Sequence, residues 1–241
     1  MEHHYESSVV HIGDLSDAII LTMSKLYLEN YDGSSEAVFR SDLAEKDEAI
    51  LLFCNERLVG FTTLKVYEAV WRSAPVRFVY SGDTIVSPQN WDQQKLTFAW
   101  ISRIGKIKQS APALPLYWFL LVKGHRTFKY LSVFGNSFFP HWSECREDLK
   151  TLADQLASAR FGSDYDPETG VVNFPVSRGH LKAEIAHASR EEMTKAATQF
   201  FFEKNPNYYI GNELVCICEL EEHNMKPMAA RIFRRSQELE S

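Results

Sequence analysis

No stretch of this sequence approaches the roughly 20 consecutive apolar residues of a membrane-spanning helix, so no span is expected. The polar, acidic opening Met1-Glu2-His3-His4-Tyr5-Glu6 lacks the apolar stretch of a secretory signal, which makes the expected location cytoplasmic. Cysteine is scarce, with four in 241 residues. Cys54 follows Leu-Leu-Phe, and Cys216 and Cys218 sit in Leu-Val-Cys-Ile-Cys; such apolar settings read as reduced core thiols. Cys216 and Cys218 share one strand face with His223 nearby, but without a second pair they make a poor zinc site, and no metal is expected. Positive charge is also short. A net charge of −6 disfavours a nucleic-acid surface, because phosphate binding needs a broad basic footprint. A local basic pocket stays open.

What is present suits a folded core. The composition, 45% hydrophobic and 24% charged, is near the globular average, and the length fits one large domain or a core with a C-terminal elaboration. Val9 to Ile12 reads as a strand, and Asp14 or Ser16 can cap a helix bearing Leu15, Ile19, Thr22 and Leu26 on one face. Tyr31-Asp32-Gly33-Ser34 breaks it, and Glu36 to Lys46 is a second helix. Ala49 to Cys54, a turn at Asn55-Glu56-Arg57, and Leu58 to Tyr67 form an antiparallel hairpin. Ala74-Pro75 interrupts before a third strand, Val76 to Val86, long enough for a bulge near Ser81-Gly82. A helix follows from about Trp91 to Lys108, with Leu96, Trp100, Ile104 and Ile107 in register. Leu116 to Val122 is nearly all apolar, as in a strand buried on both faces. Strand, helix, buried strand is a right-handed crossover with parallel strands. Beyond it come helices at 126–134, 143–160, 189–204 and 228–235, and strands at 171–176 and 213–220. The fold class is α/β.

This order resembles the GCN5-related N-acetyltransferase (GNAT) fold. The resemblance rests on Val9 to Ala18, the hairpin Ala49 to Lys65 with Val59-Gly60-Phe61 after its turn, Ile85-Val86-Ser87-Pro88 before a helix, and Phe128 to Pro140 after the buried strand. It implies a mixed central sheet with flanking helices. A GNAT-like core would span 1–145, with 146–241 packed on the same sheet as a C-terminal α/β elaboration within one domain. It also implies transfer of an acyl group from a thioester, acyl-CoA, directly to an amine of a small molecule or peptide. In that family the stretch after the fourth strand, Val-x-Pro-x-x-Arg-Gly-x-Gly-x-Gly/Ala, holds the pyrophosphate of coenzyme A. Backbone amides at a helix start attract phosphate, and glycine admits it closely. Val86 and Pro88 match; Trp91, Asp92, Gln93 and Gln94 stand where Arg-Gly-x-Gly belongs. Either coenzyme A is held differently, or an acyl carrier protein brings a long chain, as in acyl-homoserine lactone and N-acyl amino acid synthases, or the domain binds a ligand without catalysis.

Acyl transfer needs a base for the amine, donors for the oxyanion and an acid for the leaving thiolate. Asp83 and Glu68 are the candidate bases; against this, Asp83 can stabilise a bulge and Glu68 can be solvated. Tyr130 falls where the family's acid tyrosine lies, and a packed tyrosine is the alternative. Backbone N–H groups of Ile85 and Val86 are candidates to polarise the carbonyl, and Trp91, Gln93 and Gln94 occupy the donor loop. Lys123, His125 and Arg126 form a basic group at the end of the buried strand, where ligands bind in α/β sheets; the alternative is an exposed turn. The aromatics Trp118, Phe119, Phe128, Phe134, Phe138, Phe139 and Trp142 fit a core or the lining of an acyl-chain tunnel.

Overall fold

The alternating apolar runs of the first half pair as antiparallel strands, joined by turns too short for anything else. A computed structural model describes residues 4–176 and 178–238; Met1, Glu2 and His3 of the polar opening lie outside them. Tyr5–His11 (β1) leads into helix Asp17–Asn30 (α1), where the Ser16 hydroxyl accepts from the Ile19 amide. Its buried face carries Met23, Leu26, Tyr27 and Asn30, so it is turned from the expected Ile19–Thr22 line. Tyr31–Asp32 (β2) precedes helix Glu36–Ala44 (α2), capped by Ser35. Glu48–Cys54 (β3), Arg57–Trp71 (β4) and Ala74–Val86 (β5) then form a meander. Both of its turns are two residues with positive φ, Asn55 (47°) and Glu56 (66°), then Arg72 (48°) and Ser73 (64°). That twist matches the strands. Ala74-Pro75 therefore does not interrupt. Pro75 opens β5 before the pairing to the next strand begins at Arg77, where its missing N–H is harmless.

Helix Lys95–Ser110 (α3) crosses over to Leu116–Val122 (β6), and β5 and β6 run parallel. Leu96, Trp100, Ile104 and Ile107 are buried on α3, as their spacing required. After β6 come His125–Phe134 (α4), Phe138–Phe139 (β7), Glu147–Phe161 (α5), Tyr165–Asp166 (β8), Val171–Val172 (β9) and His180–Leu181 (β10). Ala183–Ala186 (α6), Ala196–Lys204 (α7), Glu213–Glu219 (β11) and Pro227–Glu238 (α8) complete the chain. Strand 171–176 shrinks to two residues. The helix expected from Ser189 breaks at Lys195 after a 3₁₀ turn.

The main sheet runs β1-β3-β4-β5-β6-β11-β9-β8, with β7 also on β11, while β10 pairs with β2. One face packs against α3, α4, α7 and α8 through residues such as Trp118, Leu120, Ile104, Phe128, Phe201 and Phe233. The other is covered by α1 and α2 over β3, β4 and the end of β5, and by α5 over β5, β6 and β11. Between these two helical covers lies an uncovered stretch of sheet, and charged side chains gather there.

Candidate active site

β5 and β6 stay paired only from Arg77–Leu116 to Ser81–Leu120. Trp118 closes the last rung by donating its indole N–H to Ser81 Oγ at 2.7 Å. Immediately beyond, β5 bulges. Thr62 pairs with Thr84 and Leu64 with Ser81, so Gly82 and Asp83 together face Thr63. A Cβ on Gly82 would sit 2.4 Å from Thr63 Oγ1 and 2.6 Å from Lys46 Cε. Thr63 or Lys46 would have to shift to admit one. The strands part from this bulge onward.

On the α1/α2/α5 side the gap opens into a cavity of about 410 Å³ that includes Asp83, Lys123 and Glu213. Asp83 is half-buried and has no hydrogen-bonded or ionic partner among the described residues. Burial, then the neighbouring Asp42, push its carboxyl up to about 7, against the pull of Lys123 and Lys46. Lys46 is buried and committed to Asp42, with Nζ 2.6 Å from Oδ2. Lys123 Nζ lies 3.2 Å from Glu213 Oε1 and 5.3 Å from the centre of the Tyr31 ring. Burial opposes its charge, but Glu213, Tyr31 and Tyr27 outweigh that and hold the ammonium protonated.

On the α3/α4 side the same gap leaves a cavity of about 40 Å³ lined by Tyr130, Trp100, Trp118 and Phe134. Ser81, Gly82, Thr84, Leu121 and Thr127 line both cavities, so the two meet through the gap. Burial raises the Tyr130 phenol, with a hydrogen bond to Thr97 working the other way; it stays an O–H donor at neutral pH. Of the two readings of the aromatics, the packing favours core. Trp100 packs 4.6 Å from Trp118 and 5.1 Å from Phe134, and Phe128 and Phe138 are fully buried. These aromatics are core.

The loop after β5 departs from a phosphate cradle in a second way. α3 starts at Lys95, not at Trp91, because Pro88–Asn90 form a 3₁₀ turn. The amides of Asn90, Trp91 and Gln93 donate to Ser87, Pro88 and Asn90 carbonyls. The Gln93 side chain accepts from Leu96 N at 3.2 Å, and the Trp91 indole donates to Val86 O at 2.7 Å. These four amides are used internally. As it stands, the loop does not fit coenzyme A in the usual way; Gln94 is the N-cap residue and makes no side-chain cap. The pleat also separates Ile85 from Val86. Ser87 N donates to Val59 O on β4, so by alternation the Val86 amide faces away from β4 and the Ile85 amide toward it.

Glu68 lies far from this gap. It pairs with Arg77 at 2.6 Å at the closed end of the β5–β6 pair, about 20 Å of strand from Asp83 at ~3.3 Å per residue. The basic group divides as well. Lys123 reaches the cavity already neutralised, whereas His125 and Arg126 turn to the C-terminal segment. His125 is 3% exposed, with Nε2 3.4 Å from Glu192 Oε1. Arg126 donates to Ile185 O and lies 4.8 Å over the Trp91 ring. Burial first, then Arg126, lowers the His125 pKa. Neither side chain lines the cavity. Sequence reasoning missed Tyr27, Tyr31, Asp42, Lys46, Arg160, Arg178 and Glu213 around it. Glu213, an acid opening an otherwise apolar core strand, was the one visible signal.

Antiparallel strands, a crossover helix, and a parallel strand that parts from its neighbour at a bulge are the arrangement the resemblance implied. The core has a GNAT-like fold. Solved structures similar to this GNAT-like core include a conserved Enterococcus faecalis protein of unknown function described as a "probable N-acyltransferase". It is 9% identical over 55% of this chain and 33% of that chain, with a TM-score of 0.41. An aminoglycoside N-acetyltransferase solved with CoA is 13% identical over 55% of this chain and 86% of its own, at a TM-score of 0.39. An Escherichia coli GNAT family N-acetyltransferase, also solved with CoA, is 11% identical over 56% and 71%, at 0.38. Likenesses this loose carry no argument about activity, and the fold rests on strand order. No protein-family model and no curated protein sequence matches the chain.

Proposed function

We propose that this protein is an N-acyltransferase moving an acyl group from a thioester to an amine held in the larger cavity. The observation that carries the reading is Asp83, a carboxylate without a side-chain partner at the strand gap, raised to about 7, with the protonated Tyr130 lining the adjoining smaller cavity. An acceptor entering as an ammonium gives one proton to Asp83, and its nitrogen then attacks the thioester carbonyl. The C–N bond forms and the C–S bond breaks. The nitrogen sheds a second proton as the leaving thiolate takes one from Tyr130, which is then reprotonated from solvent. The direction of the Val86 amide, away from β4, supports it as the donor to the developing oxyanion. A base with a pKa near the working pH is the efficient kind.

The donor is acyl-CoA or another thioester. The internally paired loop favours a second reading, a GNAT-like domain that binds a small ligand without transfer. Melting curves of the full chain with acetyl-CoA, long-chain acyl-CoAs and plain CoA, followed by thiol release with an amine panel, separate the two. Stabilisation by a thioester and amine-dependent thiol release support transfer. No shift and no release with any donor overturn it in favour of the second reading.

A further inference from the structure

The charged groups around the larger cavity sort almost completely into pairs. Lys46 meets Asp42 at 2.6 Å, Arg160 meets Glu45 at 3.1 Å, and Lys123 meets Glu213 at 3.2 Å. Two lining residues of opposite sign are left without an ionic partner among the described residues: Asp83 on the strand bulge and Arg178. Arg178 is exposed, and its guanidinium lies 4.4 Å from the centre of the Phe174 ring, so its fork of N–H donors has no carboxylate to grip. Stacking fixes the plane of the fork without consuming its donors.

We infer that the cavity takes a free amino acid, its amine directed to Asp83 and its carboxylate to Arg178. The inference rests on Asp83 being the group that meets the acceptor amine. One unpaired acid and one unpaired base ask for a ligand with one group of each kind. A polyamine would need several unpaired acids, and a polyphosphate several unpaired bases; the wall offers neither, because its other charges already neutralise one another. The volume agrees, since about 410 Å³ lies toward the small end of the roughly 300–1,000 Å³ typical of small-molecule sites. The same cavity is lined by Tyr27 and Tyr31, stacked at 4.5 Å with rings 12° apart. An Arg fork on a carboxylate adds direction as well as charge, and this makes Arg178 the residue that selects acids among amines.

Calorimetry of the full-length protein without any donor tests this. The probes are the twenty free amino acids, their decarboxylated amines, their N-acetyl derivatives, and spermidine. At least one amino acid is expected to bind, with affinity falling tenfold or more on decarboxylation and on N-acetylation. Arg178→Gln, on the surface and checked by its melting curve, should lose the preference for the amino acid over its decarboxylated amine. Asp83→Asn should lose the preference for the free amine over the N-acetyl form. Spermidine or a decarboxylated amine binding more tightly than every amino acid overturns the inference, as does undiminished binding in Arg178→Gln or no binding by any amino acid. Because the donor is omitted, amino-acid binding without thiol release would leave this assignment standing while the transfer reading falls. Transfer to carboxylate-free amines with equal efficiency would do the reverse.

Discussion

At the scale of single residues, Asp83 ties the proposed transfer to stability. Its carboxyl is raised from 3.8 to about 7, so the folded chain holds this proton more tightly than the unfolded chain does. The stability it contributes is present below about pH 4 and is lost as pH rises through about 7. Asp83→Asn should therefore melt at a higher temperature than the unaltered protein at pH 8, with the difference shrinking toward pH 4. The same change should lower amine acylation about 10²–10⁴-fold and remove the rise of kcat/KM through about pH 7 that ionisation of the base imposes. Paired melting curves and a pH–rate profile check both. A variant that melts higher but keeps its rate would leave Asp83 as a buried titrating group of the bulge with no part in transfer.

Among elements, the turn between β5 and α3 is where the proposed thioester donor would meet the protein. A helix start attracts phosphate only while its amides are free. Here the Gln93 side chain caps Leu96 N, and Asp92 adds a negative charge beside it. Asp92→Gly with Gln93→Gly should strengthen CoA binding by calorimetry, because repulsion falls and an amide is released; unchanged affinity would mean the pyrophosphate is held elsewhere. The order of elements was legible in the sequence because periodicity speaks of neighbours along the chain. Leu116 to Val122 read as a buried strand, and Ser81-Gly82 as a bulge, from local composition. The start of α3 was not legible, since a glutamine side chain replaced the usual cap. The cavity walls were hidden for a different reason. Tyr31, Arg160 and Glu213 come from three separate elements and Lys46 from the loop after α2, and only the tertiary fold shows that Lys123 spends its charge on Glu213 while His125 and Arg126 turn away to Glu192.

For the whole molecule, the C-terminal half is part of the frame. α8 crosses α3 so closely at Gly105 that a Cβ there would lie 2.5 Å from the Phe233 carbonyl and nearer still to Ser236 Oγ. Gly105→Ala should destabilise by about 1–3 kcal/mol or more through overpacking, lowering the melting temperature by roughly 2–4 °C per kcal/mol. Gly13→Ala, with nothing within 4 Å of its added Cβ, is the control and should melt within a degree or so of the parent. Equal melting of the two variants would place α8 looser on α3 than the geometry has it.

β6 occupies the middle of the sheet, yet its two neighbours are separated by more than half the chain. β5 ends at Val86, and β11 begins only at Glu213. While the chain is being synthesised, the apolar run Leu116–Val122 stands as a bare sheet edge until its last partner emerges. An unpaired apolar edge is a template for the wrong strand. The ammonium of Lys123, at the end of that edge, likewise waits for the Glu213 carboxylate. The cavity thus acquires its charge balance last, in the same event that seals the sheet, and a nascent chain halted before residue 213 would be sticky and would carry an unpaired ammonium in an unfinished cavity.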